Sequence, residues 1–196
     1  MKLERAFTLI ELLVTISIIA ILASIIFVSF GEARVNSQNK AMTVELKEMQ
    51  LALETYRSQH GKYPFPEPGC ASAPMGQLLS RASGPGSWCS QGYLNSSTFI
   101  EPVMIPEFIK ELPLRADSAN PNCDIEYRTD TGGTWYKLTA VNCLAGVDMV
   151  SGVGPNEPLA RCAISCAQGS SGDTCFPNDA DYYESLAIYS LGGQCE

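Results

Sequence analysis

From Phe7 to Phe30 the chain reads FTLIELLVTISIIAILASIIFVSF, 24 residues with one charge, Glu11, and neither Pro nor Gly. At 1.5 Å per residue a helix of that length reaches roughly 36 Å, enough to cross a hydrocarbon core of about 30 Å with some tilt. The run exceeds the apolar core of a cleaved secretory signal, about 7–15 residues, and it passes straight into a helical pattern. Lys2 and Arg5 ahead of it supply a basic flank, although Glu4 dilutes it. The segment therefore reads as a membrane-spanning helix, 7–30, behind a short leader, 1–6.

Glu11 is the informative residue. A carboxylate in an apolar span costs on the order of 2.5–3.5 kcal/mol at the centre, so it ordinarily has a partner or a task. Near the start of a span it can also reach the interface, helped by the positive end of the helix dipole. Its setting is Ala6-Phe7-Thr8-Leu9-Ile10-Glu11-Leu12-Leu13-Val14, behind the charged leader. This stretch resembles the class III signal of type IV pilins and of the pseudopilins of type II secretion. The resemblance implies a cut between Ala6 and Phe7 by a prepilin peptidase, N-methylation of Phe7, and Glu11 as the carboxylate that guides assembly. Ala6 stands where the family usually has Gly. The implied partners are other copies of the chain or related pilins, the peptidase, a membrane assembly platform, and the lipid bilayer before assembly. Physically, an ammonium on a neighbouring helix is the natural partner for such a carboxylate, and pairing would fix the stagger between subunits.

Beyond Gly31 the pattern turns amphipathic. Val35, Met42, Leu46, Met49, Leu53 and Tyr56 recur at helical spacing, while the charges on the other faces sum to zero. Barely three heptads are covered, so the stripe is expected to pack on the protein's own sheet rather than in a coiled coil. The helix is expected to run from Phe7 to about Gln59, with 31–60 as its amphipathic half. His60-Gly61-Lys62-Tyr63-Pro64 ends it, with Gly in a left-handed cap and Pro forbidding continuation. Together with Tyr56, these residues also resemble the end of the pilin-like stalk helix. His60 reads as a residue serving the helix C-terminus, not as a ligand, because the chain has no second His.

Residues 61–196 are expected to form an extracytoplasmic head. Phe65 to about Pro106 is rich in Pro, Gly and Ser and reads as loop, with a short helix considered around Met75 to Ala82. Ile105 to Pro113 reads as a turn-like piece. Cys123–Arg128 and Thr134–Val141 alternate β-formers around Thr129-Asp130-Thr131-Gly132-Gly133 and are expected to form a hairpin. A third strand is expected at Leu186–Leu191, with Asp181-Tyr182-Tyr183 as its start. The expected architecture is α+β and pilin-like, a long N-terminal helix on a small antiparallel sheet stapled by disulfides.

The eight cysteines all follow the stalk, which indicates an oxidising location. Four bridges allow 105 connectivities. Proximity suggests Cys123 with Cys143, Cys70 with Cys89, and Cys162, Cys166, Cys175 and Cys195 among themselves. A zinc site at Cys162 and Cys166 is disfavoured by their spacing and by the lack of a nearby His. Residues 61–196 hold 15 acids against 7 bases, so the net charge of -8 belongs there. That balance argues against a nucleic-acid surface, which needs clustered Lys and Arg. Asp173, Asn178, Asp179 and Asp181 could hold calcium as oxygen ligands, and the resemblance to major pseudopilins suggests it. The missing EF-hand spacing instead favours an acidic surface loop, so no cofactor is expected.

No nucleophile with a base and no Gly-rich phosphate loop is visible, so no enzyme is expected. The expected function is a structural subunit that polymerises through its N-terminal helix, residing in the cytoplasmic membrane before assembly and in a filament afterwards. The alternative is a membrane-anchored extracytoplasmic binding module, for which Glu11 would have no purpose.

Overall fold

The computed structural model describes residues 8–65, 75–80, 86–89, 92–94, 100–111, 120, 122–147, 152–154, 157–163, 165–166, 175–178 and 182–195, with backbone alone at 26–29, 75–80, 86–89, 92–94 and 101. Two compact units divide the chain, Met1–Ser37 and Gln38–Glu196. A single helix, α1 at Leu9–His60, contributes to both. It begins two residues after the expected start and ends one after the expected stop.

Over residues 12–25 of the first unit, large apolar side chains face outward on every side of the helix: Leu12, Leu13, Val14, Ile16, Ile19 and Ile21 are all exposed. Its most apolar 18-residue window averages a hydropathy of 2.8, long and apolar enough to cross a membrane. The hydroxyl groups in this stretch do not break that surface. Thr15 Oγ1 donates to Leu12 O at 2.8 Å, Ser17 Oγ to Leu13 O at 2.8 Å and Ser24 Oγ to Ile21 O at 2.7 Å. Each hydroxyl is thus satisfied by its own helix, which is what hydrocarbon surroundings require.

In the second unit the expected stripe is the core face of the helix. Met42, Leu46, Met49 and Leu53 are buried, Ala52 joins them, and Tyr56 packs at their edge. The helix closes on Gly61, whose φ of 76° places it in the left-handed region, and its N–H donates to Arg57 O at 2.7 Å. His60 Nδ1 lies 3.1 Å from Tyr56 O, and its ring stacks on Tyr56 at 4.1 Å, so His60 does finish the helix.

The stripe is covered by an antiparallel sheet. The hairpin consists of β4 (Asp124–Thr129) and β5 (Tyr136–Val141), followed by β6 (Leu186–Tyr189). Register pairs Ile125 with Ala140, Tyr127 with Leu138 and Thr129 with Tyr136, while Leu138 pairs with Ile188 and Ala140 with Leu186. These residues share one face, and the apolar ones among them belong to the same buried cluster as the helical stripe.

The opposite face is polar yet also buried. Glu126, Lys137 and Thr139 lie on it, with Glu126 Oε2 at 3.0 Å from Arg128 Nε and Lys137 Nζ donating to Cys162 Sγ at 3.1 Å. A backbone bond from Ala187 N to Leu159 O ties the covering segment to the free edge of β6.

Three expectations fail here. The segment 65–106, read as loop with a short helix near Met75, instead contains β1 (Met75–Ser80), β2 (Gly86–Cys89), β3 (Gly92–Leu94) and α2 (Glu101–Met104). These strands extend the sheet to the order β3-β2-β1-β4-β5-β6. Six residues cannot repay helix nucleation by themselves, whereas the open edge of β4 offers a ladder to pair with. Second, Tyr182 and Tyr183 lie in a turn and do not start β6. Tyr182 is buried instead, its hydroxyl donating to Cys162 O at 3.4 Å. The last strand also stops at Tyr189, because Gly192 and Gly193 turn the chain against Trp135 and Tyr136.

Among the described residues three disulfides join Cys123 to Cys143, Cys162 to Cys175 and Cys166 to Cys195. The first bridges the hairpin and the other two pair the tail set internally. Cys70 and the side chain of Cys89 lie outside the described residues.

Candidate functional site

The expected site centres on the first turn of α1, and Thr8 organises it. Thr8 O accepts the first helical bond, from Leu12 N at 3.3 Å, which makes Thr8 the N-cap. Glu11 then occupies the third helical position. Its N–H donates to Thr8 Oγ1 at 3.3 Å, and its Oε2 accepts from Thr8 N at 2.9 Å and from Thr8 Oγ1 at 2.8 Å. This is a reciprocal capping box, in which each residue satisfies the backbone N–H of the other.

The arrangement has a chemical consequence. An isolated carboxylate beside an apolar helix would carry its full desolvation cost, while here one oxygen is held by two donors and lies at the positive end of the helix dipole. Both bonds fall on Oε2. Oε1 accepts nothing among the described residues and is left to receive a donor from outside the turn. A cationic group would suit it best, since charge-assisted bonds are the strong ones.

Thr8 is the residue of this site to which the sequence pattern alone assigned no role. The signal was present: Thr-x-x-Glu ahead of an apolar run is the sequence form of the capping box. Ala6 and Phe7 lie outside the described residues. Of the calcium candidates, Asp173, Asp179 and Asp181 also lie outside them, and Asn178 falls in an exposed turn. Among the described residues no group of His, Cys, Asp or Glu is arranged to hold a metal ion.

An apolar helix that opens on a Thr–Glu cap and later packs its amphipathic half on a disulfide-bridged antiparallel sheet defines a pilin-like α+β protein. Residues 1–27 match the family model of the prokaryotic N-terminal methylation motif, the class III prepilin signal of type IV pilins and pseudopilins. No curated protein and no solved structure matches the chain.

Proposed function

We propose that the chain is the structural subunit of a type IV pilus-like filament, polymerising through its N-terminal helix. A prepilin peptidase cuts between Ala6 and Phe7, Phe7 is methylated on its new amino group, and the span 7–30 holds the subunit in the cytoplasmic membrane with its cysteine-rich head outside. An assembly platform then draws the helix into a growing filament.

The observation that carries this reading is Glu11, capped on one oxygen by Thr8 and open on the other, at the start of an exposed apolar helix within the methylation motif. The cut leaves Thr8 as the second residue, so the cap survives processing. The ammonium of Phe7 on a neighbouring subunit is the donor that Oε1 awaits. Removing one partner of such a buried pair costs about 3–5 kcal/mol, far more than a surface ion pair. A pilin-type motif points to a structural subunit, and no catalytic step is assigned to the chain.

Mass spectrometry of the mature N-terminus tests the reading. Methylated Phe at the start is expected, and an intact Met1 would reduce the span to an anchor. Glu11→Ala is expected to remain membrane-inserted and to lose filaments; equal filament yield from mutant and native chains would remove the role of Glu11.

A further inference from the structure

The face of α1 directly opposite its buried stripe has an unusual composition. At about 100° per residue, Lys40, Val44, Lys47 and Leu51 project within an arc of about 60°, centred roughly half a turn from Met42, Leu46, Met49 and Leu53. All four are exposed, Val44 at 53% and Leu51 at 70%. Two lysines thus frame two large aliphatic side chains, and no carboxylate shares the arc. Glu48 lies to one side, and half-buried Glu54, on the other, accepts from Tyr63 OH at 2.9 Å. A solvated helix face normally intersperses both signs and keeps its large aliphatics inside.

A complementary surface lies elsewhere in the same unit. Val103 of α2 is 37% exposed, and exposed Glu107 and Glu111 follow it in the next turns, with Lys110 between them. Among the described residues, Lys40, Lys47, Glu107 and Glu111 enter no ion pair. The segment is fixed to the end of the helix, where Phe108 meets Tyr56 edge-on at 5.2 Å and His60 at 5.9 Å. It therefore stands about 18 Å further along α1 than the centre of the lysine face, by the 1.5 Å rise.

We infer that the face formed by Lys40, Val44, Lys47 and Leu51 docks a second copy of the chain, which presents Val103, Glu107 and Glu111. Aliphatic meets aliphatic, and each lysine meets a carboxylate. The two surfaces differ and lie at different heights, so the contact is heterologous: every copy uses one surface toward each neighbour, and the series does not close by itself. This inference rests on the filament reading and assigns the contact that the heads would make in it.

The test uses the full chain in its membrane, with multimers read by chemical cross-linking and by the sheared filament fraction. The native chain is expected to give multimers. Lys40→Glu with Lys47→Glu, and separately Glu107→Lys with Glu111→Lys, are each expected to lower the yield about tenfold through like-charge contact. Expressed together, the two variants are expected to recover most of the yield as alternating copies, and one chain carrying all four changes is expected to recover it too. A fault in folding would not be cured by co-expression. Native multimers with charge variants that assemble equally well, or with no recovery on mixing, would overturn the docking assignment and leave the filament reading standing. No native multimers at all would overturn both.

Discussion

Asn39 of the helix bonds to Ala145 of the loop after β5 as one strand bonds to another: Nδ2 donates to Ala145 O at 3.0 Å, and Oδ1 accepts from Ala145 N at 3.2 Å. One side-chain amide thus satisfies both backbone groups of a residue 106 positions away. Asn39→Ala leaves both without their partner, at about 1–3 kcal/mol for an orphaned buried group, somewhat less because the site is only part-buried. Asn39→Asp keeps the acceptor for Ala145 N but sets a carboxylate oxygen against Ala145 O, and is expected to cost no less than alanine at neutral pH. Denaturant unfolding of the detergent-solubilised chain reads the difference.

The cap on Glu11 makes Thr8 a residue of consequence. Thr8→Val keeps the shape but removes the hydroxyl, so the helix start is expected to weaken by about 1 kcal/mol and Glu11 to lose one of its two donors. Thr8→Ser retains the hydroxyl and is expected to assemble normally. Filament yield from the two variants separates the hydroxyl from side-chain bulk, and equal loss in both would place the effect elsewhere.

At the β4–β5 turn, Gly133 has a φ of 63°, and a Cβ there would meet Tyr63 O at 2.3 Å. The same glycine accepts the Tyr63 N–H at 2.8 Å, so the chain leaving the helix is seated directly on the turn. Gly133→Ala combines backbone strain with a clash against main chain and is expected to cost more than about 1 kcal/mol. Gly132→Ala, whose Cβ would meet only Thr134 Cγ2 at 3.5 Å, is expected to be near neutral. Thermal unfolding of the pair side by side checks this.

Burial raises the phenol pKa values of Tyr63, Tyr127, Tyr136, Tyr182 and Tyr189. For Tyr63 the neighbouring carboxylate of Glu54 adds to the effect. The unfolded chain would release these protons first, near the ordinary value of about 10. Stability is therefore complete below that pH and is lost as pH climbs through the raised values. An alkaline titration should show phenolate absorbance rising together with loss of secondary structure; ionisation of all eight tyrosines near their ordinary value with the fold intact would contradict it.

What the sequence disclosed follows from period. The stripe from Met42 to Tyr56 and the alternation on either side of Thr129–Gly133 are local patterns, and each became the element expected of it. The Met75–Ser80 strand was not legible, because adjacent Leu78 and Leu79 break the period-2 alternation of a half-buried strand, and its identity derives from an edge offered by β4. Alternation places Glu126 and Lys137 on the face away from the helix but carries no sign of what covers that face. Its cover arrives from residues more than twenty positions downstream, held there by Cys162. In the N-terminal turn the methylation motif is readable as a resemblance, while the box formed by Thr8 emerges only when Thr8 and Glu11 are taken as a pair. The link from Asn39 to Ala145 had no local signal at all.

The bridges Cys162–Cys175 and Cys166–Cys195 interleave along the chain, each beginning inside the other's span or enclosing its start. Any protease nick between Cys166 and Cys175 is spanned by both, so the severed ends stay joined even if one bridge is later reduced. Damage of that kind would neither shed a fragment nor free the cover from the back of the sheet.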